Sequence, residues 1–239
     1  MALANAVSSF AQCGSIACPD SPTETDCCSA SGARLEMRKR TVGMGELAAC
    51  MMPEEVDLLR AASRNRHHVL EFGCGGSTIL FLENEVEVLD SVESDKTWAG
   101  KVCGVSSAAT ALRSGRFRMH RVNIGQTKAW GYPVDAAAKA RWPQYSRAIW
   151  RKLKSPPVDF VFIDGRFRVA CALFALLRIR PPALIAVHDF WPRLKIYGEI
   201  LEFLDVVQRV KSLGIFVPRD DIDKARVKKL LDEYLTDPR

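Results

Sequence analysis

Val69-Leu70-Glu71-Phe72-Gly73-Cys74-Gly75-Gly76-Ser77-Thr78 contains three backbone states in succession. Val69 to Phe72 is a short apolar run interrupted by one acid. Glycines follow, then two hydroxyl residues, then the apolar residues Ile79 to Leu82. This pattern predicts a buried strand, a tight glycine turn and the start of a helix from Ser77. Such a turn lets backbone N–H groups and a helix N-terminus approach a ligand closely, because a Cβ would fill ligand space or forbid a positive φ.

Two nucleotide-type ligands suit this geometry. A dinucleotide turn reads G-x-G-x-x-G and sets a pyrophosphate on the helix dipole. Here Thr78 stands at the third glycine position and Glu71 at the strand end. An acid there repels a pyrophosphate and suits a ligand bearing an ammonium. A second apolar run, Val86 to Val92, ends at Glu93. A carboxylate at that strand tip, about 20 residues past the glycines, can accept both hydroxyls of a ribose. It marks a nucleoside site without choosing between the two ligands.

The pattern E-x-G-x-G-G-S-T resembles motif I of the class I S-adenosylmethionine (SAM) methyltransferases. The resemblance spans about residues 41–239 and rests further on Val92-Glu93-Ser94-Asp95, Phe162-Ile163-Asp164-Gly165 and Val187-His188-Asp189. The last two look most like those of small-molecule and sugar O-methyltransferases. The resemblance implies an α/β fold: a doubly wound, mostly parallel, seven-stranded Rossmann-like sheet with an antiparallel terminal strand pair.

The chain's own pattern agrees with that class. Further strands are expected at Phe117–Ile124, Val158–Ile163 and Leu184–Val187, with helices at 96–112 and 169–179 between them. This βα alternation implies a parallel sheet. A helix is expected near 195–203, then strands at 206–213 and 215–217 turning at Gly214, then an amphipathic helix within 220–235. Pro53 with Glu54 and Glu55 marks a helix start ahead of the first strand.

In a doubly wound sheet, ligands sit outside the carboxyl ends of the strands. Glu71, Glu93, Asn123, Asp164, His188 and Asp189 all fall at such ends. The resemblance assigns the cofactor to Gly73, Gly75, Gly76, Ser77 and Thr78 at the turn. Glu71 would take the ammonium, directly or through water, Glu93 the ribose and Asn123 the adenine edge. It assigns the reaction centre to Asp164, His188 and Asp189. Asp164 and Asp189 match carboxylates that hold a divalent cation in related enzymes, where the metal lowers the pKa of a substrate hydroxyl. Arg166 stands where one metal-dependent branch has a second acid, and its charge opposes a metal ion. The metal-free route makes His188 the general base. His67 and His68 precede a strand and are expected to be exposed.

Residues 125–157 form a long crossover. Lys128, Lys139, Arg141, Arg147, Arg151, Lys152 and Lys154 stand there against Asp135 alone, interleaved with Trp130, Tyr132, Trp142, Tyr145 and Trp150. Trp130, Tyr132 and Arg166 are the candidate acceptor contacts. The segment suits an anionic or saccharide-like acceptor, through charge and ring stacking. It suits nucleic acid as well, which keeps an RNA methyltransferase open, and so does a non-catalytic SAM- or nucleoside-binding role with a basic partner surface. A helix over 142–153 with Tyr145, Ile149 and Leu153 inward is the structural alternative for that part.

Composition excludes other classes. With 239 residues and 48% hydrophobic content, the chain builds one domain with extensions. Its longest apolar run, Cys171 to Ile179, is far short of a membrane span. The eight cysteines include no C-x-x-C pair, which argues against zinc and for free thiols in a reducing, cytoplasmic setting. Residues 1–40 are rich in Ala, Ser and Cys without periodicity and are expected to form a loose tail, with organelle targeting left open.

Overall fold

The computed structural model describes residues 47–239. The tail expected over residues 1–40 lies outside the described residues. In chain order the main elements are α1 (Pro53–Ser63), β1 (His68–Phe72), α2 (Gly76–Glu83), β2 (Val88–Glu93), α3 (Lys96–Gly104), α4 (Ser106–Ser114) and β3 (Phe117–Arg121). Then follow α5 (Gln144–Arg147), β4 (Phe160–Ile163), α6 (Arg168–Leu176), β5 (Leu184–Val187), α7 (Leu194–Tyr197), β6 (Leu204–Val210), β7 (Leu213–Pro218) and α8 (Lys224–Tyr234).

One seven-stranded sheet has the order β3-β2-β1-β4-β5-β7-β6. The five strands β1 to β5 pair in parallel, and β7 runs antiparallel to both β5 and β6. The doubly wound fold with its antiparallel final pair is therefore present. The chain leaves β1 toward β2 and β3 on one side and returns to β4 on the other, so the ligand crevice opens at the tips of β1 and β4.

Alternation along β1 divides the core. Leu70 and Phe72 join the apolar layer of α5, α6 and α8, while Val69 joins that of α1, α2 and α4. The helix α6 is buried on almost every side, because α5 and α8 cover the face turned away from the sheet. That is why Arg168-Val-Ala-Cys-Ala-Leu-Phe-Ala-Leu carries so little polar surface.

Several boundaries differ from expectation. The helical stretch 96–112 breaks at Val105, which is extended between α3 and α4. The helix expected at 195–203 is one α-turn followed by 3₁₀ turns to Glu202. The β6–β7 turn is at Lys211-Ser212, with Lys211 left-handed at φ 49°, rather than at Gly214. Gly214 lies within β7 for a packing reason: a Cβ there would sit 2.4 Å from the Phe216 ring. The helix expected over 142–153 is broken into α5 and flanking 3₁₀ turns, yet Tyr145 and Ile149 are buried as expected, Leu153 packs half-buried against the same cluster, and Trp142 joins them. His68 is fully buried, not exposed. Its Nε2 lies 2.7 Å from Asp90 Oδ2, and Arg118 and His120 complete the shell around that carboxylate. A buried acid at mid-strand needs those donors, and they hold its pKa below the usual range against the opposing effect of burial.

Candidate active site

The glycine turn is built around Glu71, which is completely buried. Ser77 Oγ and Thr78 Oγ1 each donate to its carboxylate at 2.6 Å, and Ser91 Oγ donates as well. Thr78 Oγ1 also accepts the Gly75 N–H at 3.0 Å. Glu71 thus ties the strand to the turn and the helix start, and burial pushes its pKa up to about 7 despite the three hydroxyls. Its oxygens are occupied from within the protein, so direct contact with a ligand ammonium is closed to it.

The three glycines answer three different constraints. Gly73 has φ +90°, and a Cβ on it would lie 2.5 Å from the Gly165 nitrogen. A Cβ on Gly76 would strike the backbone of Ala48 and Ala49. Gly75 alone opens outward, where a Cβ would meet only the Trp98 ring edge, at 3.9 Å. Trp98 Nε1 donates to the Cys74 carbonyl at 2.6 Å and fixes that wall. At the tip of β2, Glu93 Oε1 accepts the amides of Ser94 (2.6 Å) and Asp95 (2.8 Å). Its Oε2 faces the Cys74 thiol at 3.7 Å, a weak donor, and keeps acceptor capacity for a ligand hydroxyl. Burial raises the Glu93 pKa against those amides. An open cradle at Gly75 beside a carboxylate acceptor fits a nucleoside whose methionine chain lies along the turn. Asn123 is exposed, and its Oδ1 accepts the Gly125 N–H at 3.0 Å, which closes the loop after β3.

The reaction-centre residues do come together. Asp164, His188 and Asp189 each offer an atom within 4.8 Å of the others. His188 Nδ1 lies 2.9 Å from Asp164 Oδ1, and Nε2 lies 3.4 Å from Glu55 Oε2. Burial would lower the His188 pKa, but the hydrogen bond and charge of Asp164, helped by Asp189, hold it above the ordinary value. Burial would likewise raise Asp164, but His188 and the charge of Arg168 hold it low. Both ring nitrogens face carboxylates, which favour the charged imidazolium.

Arg168 bears on whether these residues suit a metal ion. Buried at the start of α6, it places Nη2 3.1 Å from Asp164 Oδ1 and Nη1 3.3 Å from Asp189 Oδ2. Arg193 reaches the same Asp189 oxygen at 3.5 Å. A divalent ion between these carboxylates would sit against a fixed guanidinium, so the donor set does not suit one. The turns that present them are left-handed just past each strand, at Phe167 (φ 56°) and Asp189 (φ 56°). The carbonyls of Pro238 and Arg239 accept the Phe167 and Arg168 amides and hold the first turn of α6.

Two reaction-centre neighbours escaped the sequence reading. Arg168 opens the apolar helix α6 and carries no local signal of its role. Glu55 reads in the sequence as a first-turn acid marking a helix start, yet its Oε1 accepts the Ser212 amide and hydroxyl (2.7 and 2.6 Å) and its Oε2 the Met52 amide (2.9 Å). The available signal was its spacing: Glu55, Leu58 and Leu59 stand at i, i+3 and i+4, on the buried face of α1.

The candidate acceptor contacts separate. Tyr132 covers Arg166, whose guanidinium carbon lies 4.0 Å from the ring centroid. Trp130 is 72% exposed and left-handed (φ 62°), on the outer side of the same loop. That loop is pinned by Lys128 N–H to Tyr132 O (2.8 Å) and by the pairing of Thr127 with Pro133. The bases of the crossover are exposed, apart from the half-buried Arg147 near Asp232.

A protein from Silicibacter pomeroyi DSS-3, described as methyltransferase-like, shares this fold with a TM-score of 0.67 and 30% identity, over 81% of this chain and 99% of its own. The chain belongs to the class I SAM-dependent methyltransferases. The O-methyltransferase of Bacillus cereus in complex with S-adenosylhomocysteine (SAH) has a TM-score of 0.47 and 18% identity over 70% of this chain and 82% of its own. TomG, a Streptomyces achromogenes O-methyltransferase of tomaymycin synthesis in complex with SAM, has 0.46 and 18% over 70% and 81%. No protein-family model and no curated protein sequence matches the chain. Among the described residues no helix is long and apolar enough to cross a membrane.

Proposed function

We propose that this methyltransferase moves the SAM methyl group to an oxygen of a small, saccharide-like acceptor without a metal ion. One observation carries the reading: the cofactor turn and the Asp164 turn are in backbone contact, Gly73 against Gly165. A ligand lying in the Gly75 cradle has its reactive end beside Asp164. SAM bound there would supply a methyl group on an electrophilic sulfonium.

The residues of this chain do the remaining work. Asp164 Oδ1 is held by His188 and Arg168, and among the described residues no donor occupies its Oδ2. That oxygen is free to accept the acceptor's hydroxyl proton. His188 holds Asp164 in place and is itself held by Glu55. Both of its nitrogens face carboxylates, so the general-base role expected for it passes to Asp164. The main contribution is positioning the hydroxyl in line with the methyl group.

The test is calorimetry with SAH, then methyl-labelled SAM with saccharides, hydroxy acids and phenols. Asp164→Asn is expected to keep SAH affinity within about twofold and to lose ~10²-fold in turnover. Wild-type turnover should not rise with pH above 6, because Asp164 is already ionised there, and EDTA should leave it unchanged. A rate rising through a pKa above 6.5 would return the base to His188, and loss with EDTA rescued by Mg²⁺ would restore the metal. A second reading, an RNA acceptor, draws on the exposed bases of the crossover and is tested by the same label on RNA. Tight SAH binding without product from any acceptor would leave a binding protein.

A further inference from the structure

Arg166 is 5% exposed, and among the described residues its Nε and Nη1 find no hydrogen-bond partner. Among the described residues no carboxylate lies within ion-pair distance of it, and the charge of Asp164 acts on it from farther off. One face of its guanidinium is covered by Tyr132 at 4.0 Å. A buried guanidinium with unmet donors is costly, and a bound oxyanion removes that cost. The surroundings are arranged for one. Arg193 lies near Tyr132. The loop lies over the Arg166 stem at Gly131, which is left-handed (φ 72°) and from which a Cβ would make ordinary contact with Arg166 Cγ at 3.8 Å.

We propose that Arg166, roofed by Tyr132, binds an anionic group of the acceptor, a carboxylate or phosphate, while Asp164 takes the hydroxyl to be methylated. The inference rests on the methyltransferase reading above and narrows its acceptor to an acidic hydroxylated molecule, such as a uronate or a sugar phosphate. Asp164 and Arg166 leave the same turn two residues apart, so one small molecule can span both. The basic residue that displaces an acid from this position then has a use beyond opposing a metal: it selects acceptor charge. The cofactor's own carboxylate offers the same chemistry and is the competing source.

The experiment reads the Arg166 Nε–H directly, by ¹⁵N NMR of the SAH complex, the signal being assigned by its absence in Arg166→Lys. Titration with inorganic phosphate and with glucuronate at constant ionic strength should shift it saturably, and glucose should not. Arg166→Gln should weaken glucuronate binding by at least ~10-fold and leave SAH affinity unchanged; thermal melting of both variants checks that they fold. No shift with either anion overturns the proposal. So does a shift caused by SAH itself, combined with an Arg166→Gln loss for SAH that is absent for 5′-methylthioadenosine, since that assigns the anion to the cofactor. Failure of the wild type to bind SAH at all would instead strike the methyltransferase reading.

Discussion

At the residue scale, the glycine turn shows how alike residues in sequence part company in space. Gly73 is required twice over, by its positive φ and by the Gly165 backbone against which it packs. Gly75 is required by neither: its φ of 176° is open to any residue, and a side chain there meets almost nothing of the protein. The two therefore separate folding from binding. Gly73→Ala should destabilise the chain by about 3 kcal/mol, joining about 1–2 for the left-handed backbone to about 1–3 for overpacking. Gly75→Val should melt within a few degrees of the wild type and lose SAH binding. Urea unfolding and calorimetry on the two variants check this; a Gly75→Val protein that binds SAH normally would move the cofactor off this turn.

At the element scale, α1 reaches the reaction centre through one side chain. Glu55 joins the N-terminus of α1, the β6–β7 turn at Ser212 and the imidazole of His188. Burial opposes its charge, but Ser212, the Met52 amide and His188 keep its pKa below the ordinary value. Glu55→Gln removes one of the carboxylate charges that face His188, so the His188 pKa should fall. NMR titration of the His188 ring protons reads that fall, and turnover should drop by ~10-fold with the KM for SAM unchanged. An unmoved His188 titration would make Glu55 a bond to Ser212 and nothing more.

The same scale shows what the sequence could tell. The strands and their ends were legible because β1, β4 and β5 are apolar runs that finish in chemistry-bearing residues, and strand tips converge in any sheet of this order. The broken crossover was not, since periodicity placed Tyr145 and Ile149 inward but fixed neither Trp142 nor the backbone that carries them. Gly214 looked like a turn because glycine in a strand gives the same signal whether it bends the chain or yields room to Phe216. The pairing of Glu55 with His188 crosses more than a hundred residues, and nothing local announces it.

At the scale of the whole molecule, the buried charges set how stability follows pH. Glu71 is raised from 4.5 to about 7 and His188 is raised above 6.5. For a group with a raised pKa the folded state binds the extra proton. Its contribution is complete below the unfolded pKa and is lost as pH rises through the folded one. Glu71 therefore costs stability progressively between pH 4.5 and 7, and His188 from 6.5 upward. Asp164, Asp90 and Glu55 are lowered, so their contributions stand above their unfolded pKa values and fail only in acid. The two sets leave maximum stability near pH 5 and a decline toward pH 8. For Glu71 alone the decline reaches about 3 kcal/mol at most, at about 1.4 kcal/mol per pKa unit. Urea midpoints at pH 5, 6, 7 and 8 and fixed ionic strength should fall in that order. Glu71→Gln keeps a polar group facing the three hydroxyls but has no charge to gain, so its midpoints should fall less and should exceed those of the wild type at pH 8. Equal slopes in the two proteins would mean that the Ser77, Thr78 and Ser91 hydroxyls stabilise the carboxylate as well as water does, and that the turn carries its charge at no cost.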